Sequence, residues 1–141
     1  MEQFKITKPV RLIELFGGLG SQAMALKRLG IPFEHWRLSE WDCASAASYK
    51  AIHFEDDHKD YSKDKTKEEL IEILDRLGIS TDGKSPLIKD KIARKGESWL
   101  RETYNNFRAT RNIGSIMKRG GVDLGITNTD KYCYMLTYSF P

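Results

Sequence analysis

The chain has 141 residues, of which 40% are hydrophobic and 30% are charged, and its formal net charge is +3. These values are typical of a folded globular chain, either one domain or part of one, and they exclude a disordered polyelectrolyte. No apolar run approaches the ~20 residues of a membrane span, and the mixed N-terminus is not that of a secretory signal. The mild positive charge is compatible with a nucleic-acid partner without indicating one.

The first of three predicted segments, residues 1–52, has the alternation of strands and helices of a βαβα unit. A nearly continuous apolar run from Val10 to Phe16 predicts a strand buried on both faces of a parallel sheet. Gly30 and Pro32 end the helix that follows it. The predicted elements are a strand at 10–16, a helix at 21–29, a second strand at 33–38, and an alanine-rich helix that Asp42 caps and that begins at about Cys43.

The second segment, residues 53–108, is predicted to be a charged helical insertion. It opens with a charge-dense stretch that we expect to be a solvated loop. Thr66 and Glu69 have the spacing of a capping box, which predicts a helix that Gly78 closes. The remaining features are Leu70, Leu74 and Leu77 on one helix face, a turn at 81–86, a basic stretch at 89–95, and a helix carrying Trp99, Leu100, Tyr104 and Phe107.

The third segment, residues 109–141, is predicted to return to the sheet. Its aromatic and apolar stretch at 132–138 has high β propensity and predicts a strand. Cys133 falls in the middle of that strand, where we expect a buried, inert thiol.

The chain contains only two cysteines, Cys43 and Cys133. Two cysteines form neither a disulfide framework nor a metal cluster, so a reducing cytoplasm is the predicted location. His35, His53 and His58 lack the spacing of metal ligands, and no metal site is predicted. Because His53 and His58 lie among acidic residues, we expect both to be solvated.

Three glycines, Gly17, Gly18 and Gly20, lie between the first predicted strand and the first predicted helix. A nucleotide-like ligand must approach the backbone closely at such a turn, where any β-carbon would obstruct it. Turns of this kind serve dinucleotides and S-adenosylmethionine alike. A tight turn without a ligand is the alternative interpretation.

An acidic and an aromatic residue follow the second predicted strand. Glu40 lies 20 residues after Gly20, and an acidic residue at this place accepts hydrogen bonds from both ribose hydroxyls. Trp41 offers a flat apolar face for an adenine ring. Alone, the pair would indicate a surface glutamate beside a core tryptophan. Its spacing from the glycine turn favours the ligand site.

Several stretches resemble motifs of the DNA cytosine-5 methyltransferases, and they reach both ends of the chain. Glu14–Ser21 (ELFGGLGS) is similar to the first motif of that family, and Ser39–Asp42 (SEWD) resembles the second. Thr137–Pro141 (TYSFP) resembles the approach to the Pro-Cys-Gln catalytic loop. Asn112–Ile116 (NIGSI) stands where a Gly-Asp-Ile-like third motif belongs. The resemblance implies an α/β fold, namely an incomplete Rossmann-like S-adenosylmethionine-dependent methyltransferase fold with a helical insertion.

The resemblance also implies S-adenosylmethionine as cofactor and DNA as partner, with methyl transfer to carbon 5 of a flipped cytosine in a restriction–modification or phage enzyme. Glu40 would hold the ribose hydroxyls, Trp41 would pack on the adenine, and Ile116 would touch its edge. Ser139 and Pro141 would border the place where the methyl group meets the base. The cofactor-binding residues so implied are Phe16, Gly17, Gly18, Leu19, Gly20, Glu40, Trp41, Ile116, Ser139 and Pro141.

The sequence departs from the family pattern at several positions. Gly17 replaces a usual alanine, and Ser21 replaces a usual glycine. Ser115 stands where an aspartate commonly reads the adenine amino group. The family's nucleophile is the cysteine directly after the proline that corresponds to Pro141, so the resemblance assigns no catalytic residue to this chain.

Neither cysteine is expected to replace that nucleophile. Cys43 begins a predicted helix, a place that can lower the pKa of a thiol, but it lies on the adenine side of the site. Cys133 is expected to be buried. The chain would therefore supply the cofactor-binding half alone and be inactive.

Three explanations remain open for the missing half. The chain is a truncated enzyme, one part of a split enzyme, or a catalytically dead remnant that acts as a binding or inhibitory protein. An unpaired strand at 132–138 predicts self-association or capture by a complementing C-terminal subunit. If the insertion instead folds over that strand, the chain stays monomeric.

The insertion allows a further interpretation. Thr66–Pro86 faintly resembles the helix-extension-helix of SAP-type DNA-binding modules. An ordinary surface helical insertion with solvated charges is the favoured alternative. The side chains that would meet phosphates in the first interpretation are Lys84, Lys89, Lys91, Arg94 and Lys95.

Overall fold

The structure, a computed structural model, describes residues 5–138. Its strands and helices follow the predicted order closely. They are β1 (Val10–Leu15), α1 (Ser21–Arg28), β2 (Phe33–Ser39), α2 (Cys43–His53), α3 (Lys67–Leu77), α4 (Lys89–Ala93), α5 (Glu97–Ala109) and β3 (Cys133–Tyr138). Two short 3-10 turns, Ile116–Lys118 and Gly121–Leu124, lie between α5 and β3.

The three strands form a parallel sheet with the order β2-β1-β3. A single parallel bridge between Leu38 and Asn112 adds a fourth position outside β2. Numbered by their order in the chain, the four positions lie across the sheet as 3-2-1-4, which matches the first four of the six positions of a Rossmann sheet. The predicted α/β class is confirmed, as a partial Rossmann-like fold.

The central strand β1 is buried on both faces, as its apolar run predicts. Leu12 and Ile13 are completely buried. Leu12 packs with Ala23 and Leu26 of α1. Helix α1 thereby covers one face of the sheet and fixes the turn that connects it to β1.

Helices α3, α4 and α5 form a second core against α2, here called the helical core. Thr66 and Glu69 make the predicted capping box of α3, and Gly78 ends that helix in the left-handed conformation. The basic stretch at 89–95 was not predicted as a helix, but part of it forms α4 because Ile92 is buried in this core. The fully buried members of the helical core are Ala46, Leu70, Leu74, Ile79, Ile92 and Leu100.

The helical core lies on the β2 side of the sheet. Helix α5 leads directly to Asn112, which bridges to the outer edge of β2, whereas β3 lies on the other side of β1. Helices α3, α4 and α5 pack chiefly on one another and on α2. The alternative in which the insertion folds over β3 is therefore not supported by the packing.

Within residues 5–138, no helix is long and apolar enough to cross a membrane. The same residues contain no group of three or more histidine, cysteine or acidic side chains placed to hold a metal ion. The division into segments at 1–52, 53–108 and 109–141 and the cytoplasmic location stay predictions.

Candidate functional site

A cleft of about 530 Å³ lies at the carboxyl ends of β1 and β2. Its lining includes Phe16, Gly18, Glu40, Trp41 and Ile116, all predicted cofactor residues. Ligands of open α/β sheets bind outside the carboxyl ends of the strands. The cleft therefore has the position that this fold gives to a nucleotide-like ligand.

The remaining predicted cofactor residues are placed differently. Gly17 packs beneath the turn, where a Cβ would come within 2.1 Å of a leucine methyl group of β2. Leu19 is 55% exposed, and Gly20 is the N-cap of α1. Ser139 and Pro141 lie outside the described residues. The cleft thus collects only part of the predicted set.

The turn between β1 and α1 has an unusual backbone conformation. Phe16 and Gly18 have φ angles of 54° and 52°, both in the left-handed region. A phenylalanine rarely adopts this conformation, and such outliers cluster at ligand sites. A Cβ on Gly18 would meet no protein atom within 4 Å. The backbone at Gly18 therefore faces open space, which a ligand could occupy.

The carboxylate of Glu40 is fixed by backbone donors on both sides. Gly18 N donates to Oε2 at 2.9 Å, and Asp42 N donates to Oε1 at 2.8 Å. Glu40 is only 9% exposed. Because a carboxylate has about four acceptor positions, each oxygen can still accept another hydrogen bond. Glu40 thus ties the glycine turn to the end of β2 and keeps acceptors for a ligand.

Asn112 organises the floor of the cleft, a role that the sequence did not predict. Its side-chain oxygen accepts from Glu40 N at 3.1 Å and Gly114 N at 2.9 Å, and its amide nitrogen donates to Glu40 O at 2.9 Å. Asn112 is 7% exposed. Its place at the start of the third motif is a signal, but its partner lies 72 positions away.

The helical insertion contributes one residue, Gly83, to the lining of the cleft. Ser80 N donates to Trp41 O, and Cys43 N donates to Ser80 O, both at 2.9 Å. This pairing extends the end of β2 and brings Gly83 into the lining of the cleft. The segment is thus attached to the end of β2 at Ser80, and its interpretation as an ordinary surface insertion with solvated charges stays a prediction.

The turn that carries Gly83 is held by Asp82. Its Oδ1 accepts from Lys84 N at 2.8 Å and from Ser85 N at 3.0 Å. Hydrogen bonds from the backbone of Lys84, then of Ser85, lower the pKa of the Asp82 carboxyl. The carboxylate is thus engaged in shaping the turn.

Two curated methyltransferases are similar to this chain. Orphan methyltransferase M.SssI from Spiroplasma monobiae is 31% identical over 137 residues, which cover 96% of this chain and 34% of that protein. Type II methyltransferase M2.ScrFI from Lactococcus lactis subsp. cremoris is 30% identical over 110 residues, or 76% of this chain and 29% of that protein.

The chain is related to the DNA cytosine-5 methyltransferases. It spans about a third of the length of the curated relatives that it matches. No protein-family model matches it. The predicted resemblance is confirmed at the level of the family.

His53 of this chain lies beneath the glycine turn and contacts its backbone. The expectation that His53 is solvated is therefore wrong. Its Nε2 lies 2.9 Å from the Leu19 carbonyl, and its Nδ1 lies 2.8 Å from Lys27 Nζ. Burial lowers the pKa of His53, which favours a neutral ring. In the tautomer with the proton on Nε2, the ring donates to the Leu19 carbonyl and accepts from Lys27. A Cβ on Gly20 would lie 2.3 Å from Nε2. His58 is exposed, as expected.

Tyr49 of α2 also lies beneath the glycine turn, where it contacts Glu14, the first residue of the stretch that resembles the first methyltransferase motif. Its hydroxyl donates to Glu14 Oε1 at 2.5 Å and lies 2.9 Å from His35 Nδ1. Both Tyr49 and Glu14 are almost completely buried. The acidic first residue of the motif therefore anchors α2 beneath the turn.

Neither cysteine of this chain has the setting of a nucleophile. Burial, and then the neighbouring Asp42 carboxylate, raises the pKa of the Cys43 thiol to about 12. The start of α2 therefore does not lower this pKa, contrary to the sequence-based possibility. Cys133 is paired with Val10 in the sheet and is half-buried rather than buried.

Proposed function

We propose that this chain is the S-adenosylmethionine-binding part of a DNA cytosine-5 methyltransferase of the restriction–modification or phage type. The complete reaction would transfer the methyl group of the cofactor to carbon 5 of a flipped cytosine. The single observation that carries the proposal is the convergence of Phe16, Gly18, Glu40, Trp41 and Ile116 on one cleft. These residues come from three stretches of sequence that only the fold brings together.

The residues of the cleft fit the chemistry of this cofactor. The remaining acceptor positions of Glu40 suit the two ribose hydroxyls. Trp41 and Ile116 provide apolar surface for the adenine, and the open space at Gly18 admits the rest of the ligand close to the backbone. Ser115 and Asp42 also line the cleft. Their oxygen atoms are candidates to accept from the adenine amino group in place of the usual aspartate.

Calorimetry with S-adenosylmethionine tests the proposed cofactor site. We expect Glu40→Ala to weaken binding by about 1–3 kcal/mol, because two ribose hydroxyls lose their acceptor. We expect Trp41→Ala to weaken binding too, because the adenine loses its apolar surface. Glu55→Ala, which removes an exposed acid outside the cleft, is the control. Equal affinity in all four proteins would place the cofactor elsewhere.

We further propose that these residues do not methylate DNA by themselves. Attack on cytosine requires a thiolate. Burial raises the pKa of the Cys43 thiol, Cys133 lies within a strand of the sheet, and neither cysteine lines the cleft. The test is incubation with tritiated cofactor and duplex DNA. Incorporation above background that persists after Cys43→Ala and Cys133→Ala would contradict the assignment of the catalytic cysteine to the position after Pro141.

A second candidate role is one subunit of a split methyltransferase. The observation that favours it is the exposure of β3, where Leu136 is 48% and Tyr138 is 58% exposed. Such an edge accepts another polypeptide. Mixing the chain with the unmatched remainder of the M.SssI protein would test this role. Tritium incorporation only in the mixture supports the subunit role, and its absence favours the remnant that acts as a binding or inhibitory protein.

A further inference from the structure

A cluster of arginines surrounds Trp36 of β2, on the face of the sheet that also carries Arg11 of β1 and Tyr134 of β3. Arg37, Arg108 and Arg111 line a second cleft of about 450 Å³ together with Trp36. Arg11 approaches the same ring from β1. Glu34 is the acidic partner that the described residues give to this cluster. Four guanidinium groups therefore face one carboxylate, in a chain whose whole net charge is +3.

Arg11 has a structural role within this cluster. Its guanidinium lies 3.7 Å from the ring centre of Trp36 and 3.4 Å from that of Tyr132. It also donates to Glu34 at 3.1 Å and to the Tyr134 hydroxyl at 2.9 Å. Stacking and hydrogen bonds of this kind satisfy a guanidinium within the protein.

The other three arginines are less completely satisfied. Arg37 donates to the backbone carbonyl of Trp36 at 2.7 Å and lies 4.6 Å from its ring centre. Arg111 lies 3.5 Å from Glu34, which Arg11 already engages. Arg108 is exposed.

Arg37 lies among other positive charges. Burial lowers the pKa of Arg37, the charges of Arg111, Arg11 and Arg108 lower it further, and Tyr134 raises it. Like charges held together in this way favour the arrival of an anion.

Arg111 has an unusual backbone conformation. Its φ angle is 53°, a left-handed conformation at the end of α5 that a glycine adopts without strain. The chain places an arginine there instead. The next residue, Asn112, lines the arginine cleft and also holds Glu40. The two clefts are therefore distinct sites joined by one residue.

We propose that Arg37, Arg108 and Arg111, with the ring of Trp36 as a floor, bind backbone phosphates of DNA. The inference rests on the proposed function, which makes DNA the substrate. A guanidinium group can donate two parallel hydrogen bonds to phosphate oxygens. Each phosphate that the protein neutralises releases counterions from the DNA. The basic stretch at 89–95 is a weaker candidate, because Lys89 pairs with Glu72 and Lys95 lies over the Trp99 ring.

Binding of a fluorescent DNA duplex across a range of salt concentrations tests the proposal. The variant Arg37→Gln/Arg108→Gln/Arg111→Gln is compared with the control Lys91→Gln/Arg94→Gln/Lys95→Gln, which removes the same charge. We expect the slope of log K against log salt to fall by about two to three in the arginine variant, at ~0.9 per lost phosphate contact. The control should keep the wild-type slope.

A second variant leaves Arg37 in place, because Arg37 is partly buried and its replacement could misfold the protein. Arg108→Gln/Arg111→Gln changes two exposed side chains and should reduce the slope by about two. Its thermal unfolding should match that of the wild type.

Three outcomes would overturn the inference. They are an equal decrease of the salt slope in both triple variants, a decrease confined to the Lys91/Arg94/Lys95 control, and no salt-dependent DNA binding by the wild type. Cofactor affinity, measured on the same proteins, should be unchanged by the arginine substitutions. Cofactor binding without DNA binding would refute this inference alone. Arginine-dependent DNA binding without cofactor binding would refute the proposed cofactor site.

Discussion

The two flanks of β1 differ in how completely they are built. On the β2 flank, the sheet continues to Asn112 and meets the helical core, in which Leu74 and Leu100 are completely buried. On the other flank, β3 ends the described sheet with Leu136 at 48% and Tyr138 at 58% exposure. We call the β2 flank the closed flank and the β3 flank the open flank. The candidate cofactor cleft lies at the closed flank.

This difference shows why the candidate cofactor cleft is lined on several sides although the chain matches only about a third of its relatives' length. The lining comes from the glycine turn, the end of β2, the third motif and the turn at Gly83, all within the described residues. The open flank has no comparable partner in this part of the chain. The predictions below test how strongly the packing of the closed flank stabilises the chain, compared with that of the open flank.

The largest expected effect comes from a cavity in the helical core. Leu74→Ala should lower the free energy of unfolding by about 2–5 kcal/mol, because Leu74 is completely buried. Leu136→Ala on the open flank is the matched control and should cost less than about 1 kcal/mol, since that side chain is half exposed. Urea unfolding measures both. Equal losses would show that the two flanks are equally well packed.

The next effect tests how the helical segment docks on the third motif. A Cβ on Gly114 would lie 2.2 Å from the Leu77 carbonyl oxygen, at a φ angle of 78°. Gly114→Ala should therefore destabilise the fold by about 2 kcal/mol and weaken cofactor binding. Gly120→Ala is the control, since its Cβ would meet nothing within 4 Å. Similar melting temperatures for the two variants would contradict the docking.

A smaller effect concerns pH. Burial, then the charges of Lys27 and His53, lowers the pKa of His35 to about 4. The unfolded chain, with a pKa near 6.5, therefore binds more protons between these values. The contribution of His35 is fully present above about pH 6.5 and is lost as the pH falls towards 4, by about 1–2 kcal/mol after allowance for partial exposure.

Urea unfolding at several pH values measures this loss. His35→Gln should flatten the dependence in that window. The raised pKa of the buried Glu14 acts in the opposite direction and remains in the variant, so the difference between the two proteins isolates His35. Parallel curves would exclude it as the titrating group.

The smallest effect is weak association through the open flank. We expect the apparent mass to rise with concentration in light scattering over a tenfold range, because β3 presents an edge and exposed apolar side chains. Leu136→Lys should reduce the rise by adding charge to that edge. A monomer at every concentration would show that the edge is protected and would favour the remnant interpretation.

Local signals explain why most elements were predictable. The capping box of Thr66 and Glu69 and the left-handed Gly78 determine both ends of α3 within one stretch of sequence. The apolar run of β1 likewise indicates a central strand before any partner is known. Glu40 and Trp41 could be predicted as site residues from their spacing to the glycine turn, and both line the cleft. Their role toward a cofactor stays a prediction.

Contacts between distant stretches could not be predicted in the same way. Asn112 reaches Glu40, Ser80 pairs with Trp41, and His53 lies beneath Leu19, and in each case the pair is set by folding rather than by local pattern. The burial that raises the pKa of Cys43 is also a property of the assembled helical core. The arginine cluster was missed for the same reason.

The most direct test of the cofactor cleft is an NMR titration of the isotope-labelled chain with S-adenosylmethionine. We expect saturable shifts of the Gly18 and Glu40 amides and of the Trp41 indole N–H, with a common dissociation constant. The Arg108 amide, beside the arginine cleft, should stay unchanged. Saturable shifts confined to residues outside the cleft, or no shifts at millimolar cofactor, would contradict the central claim.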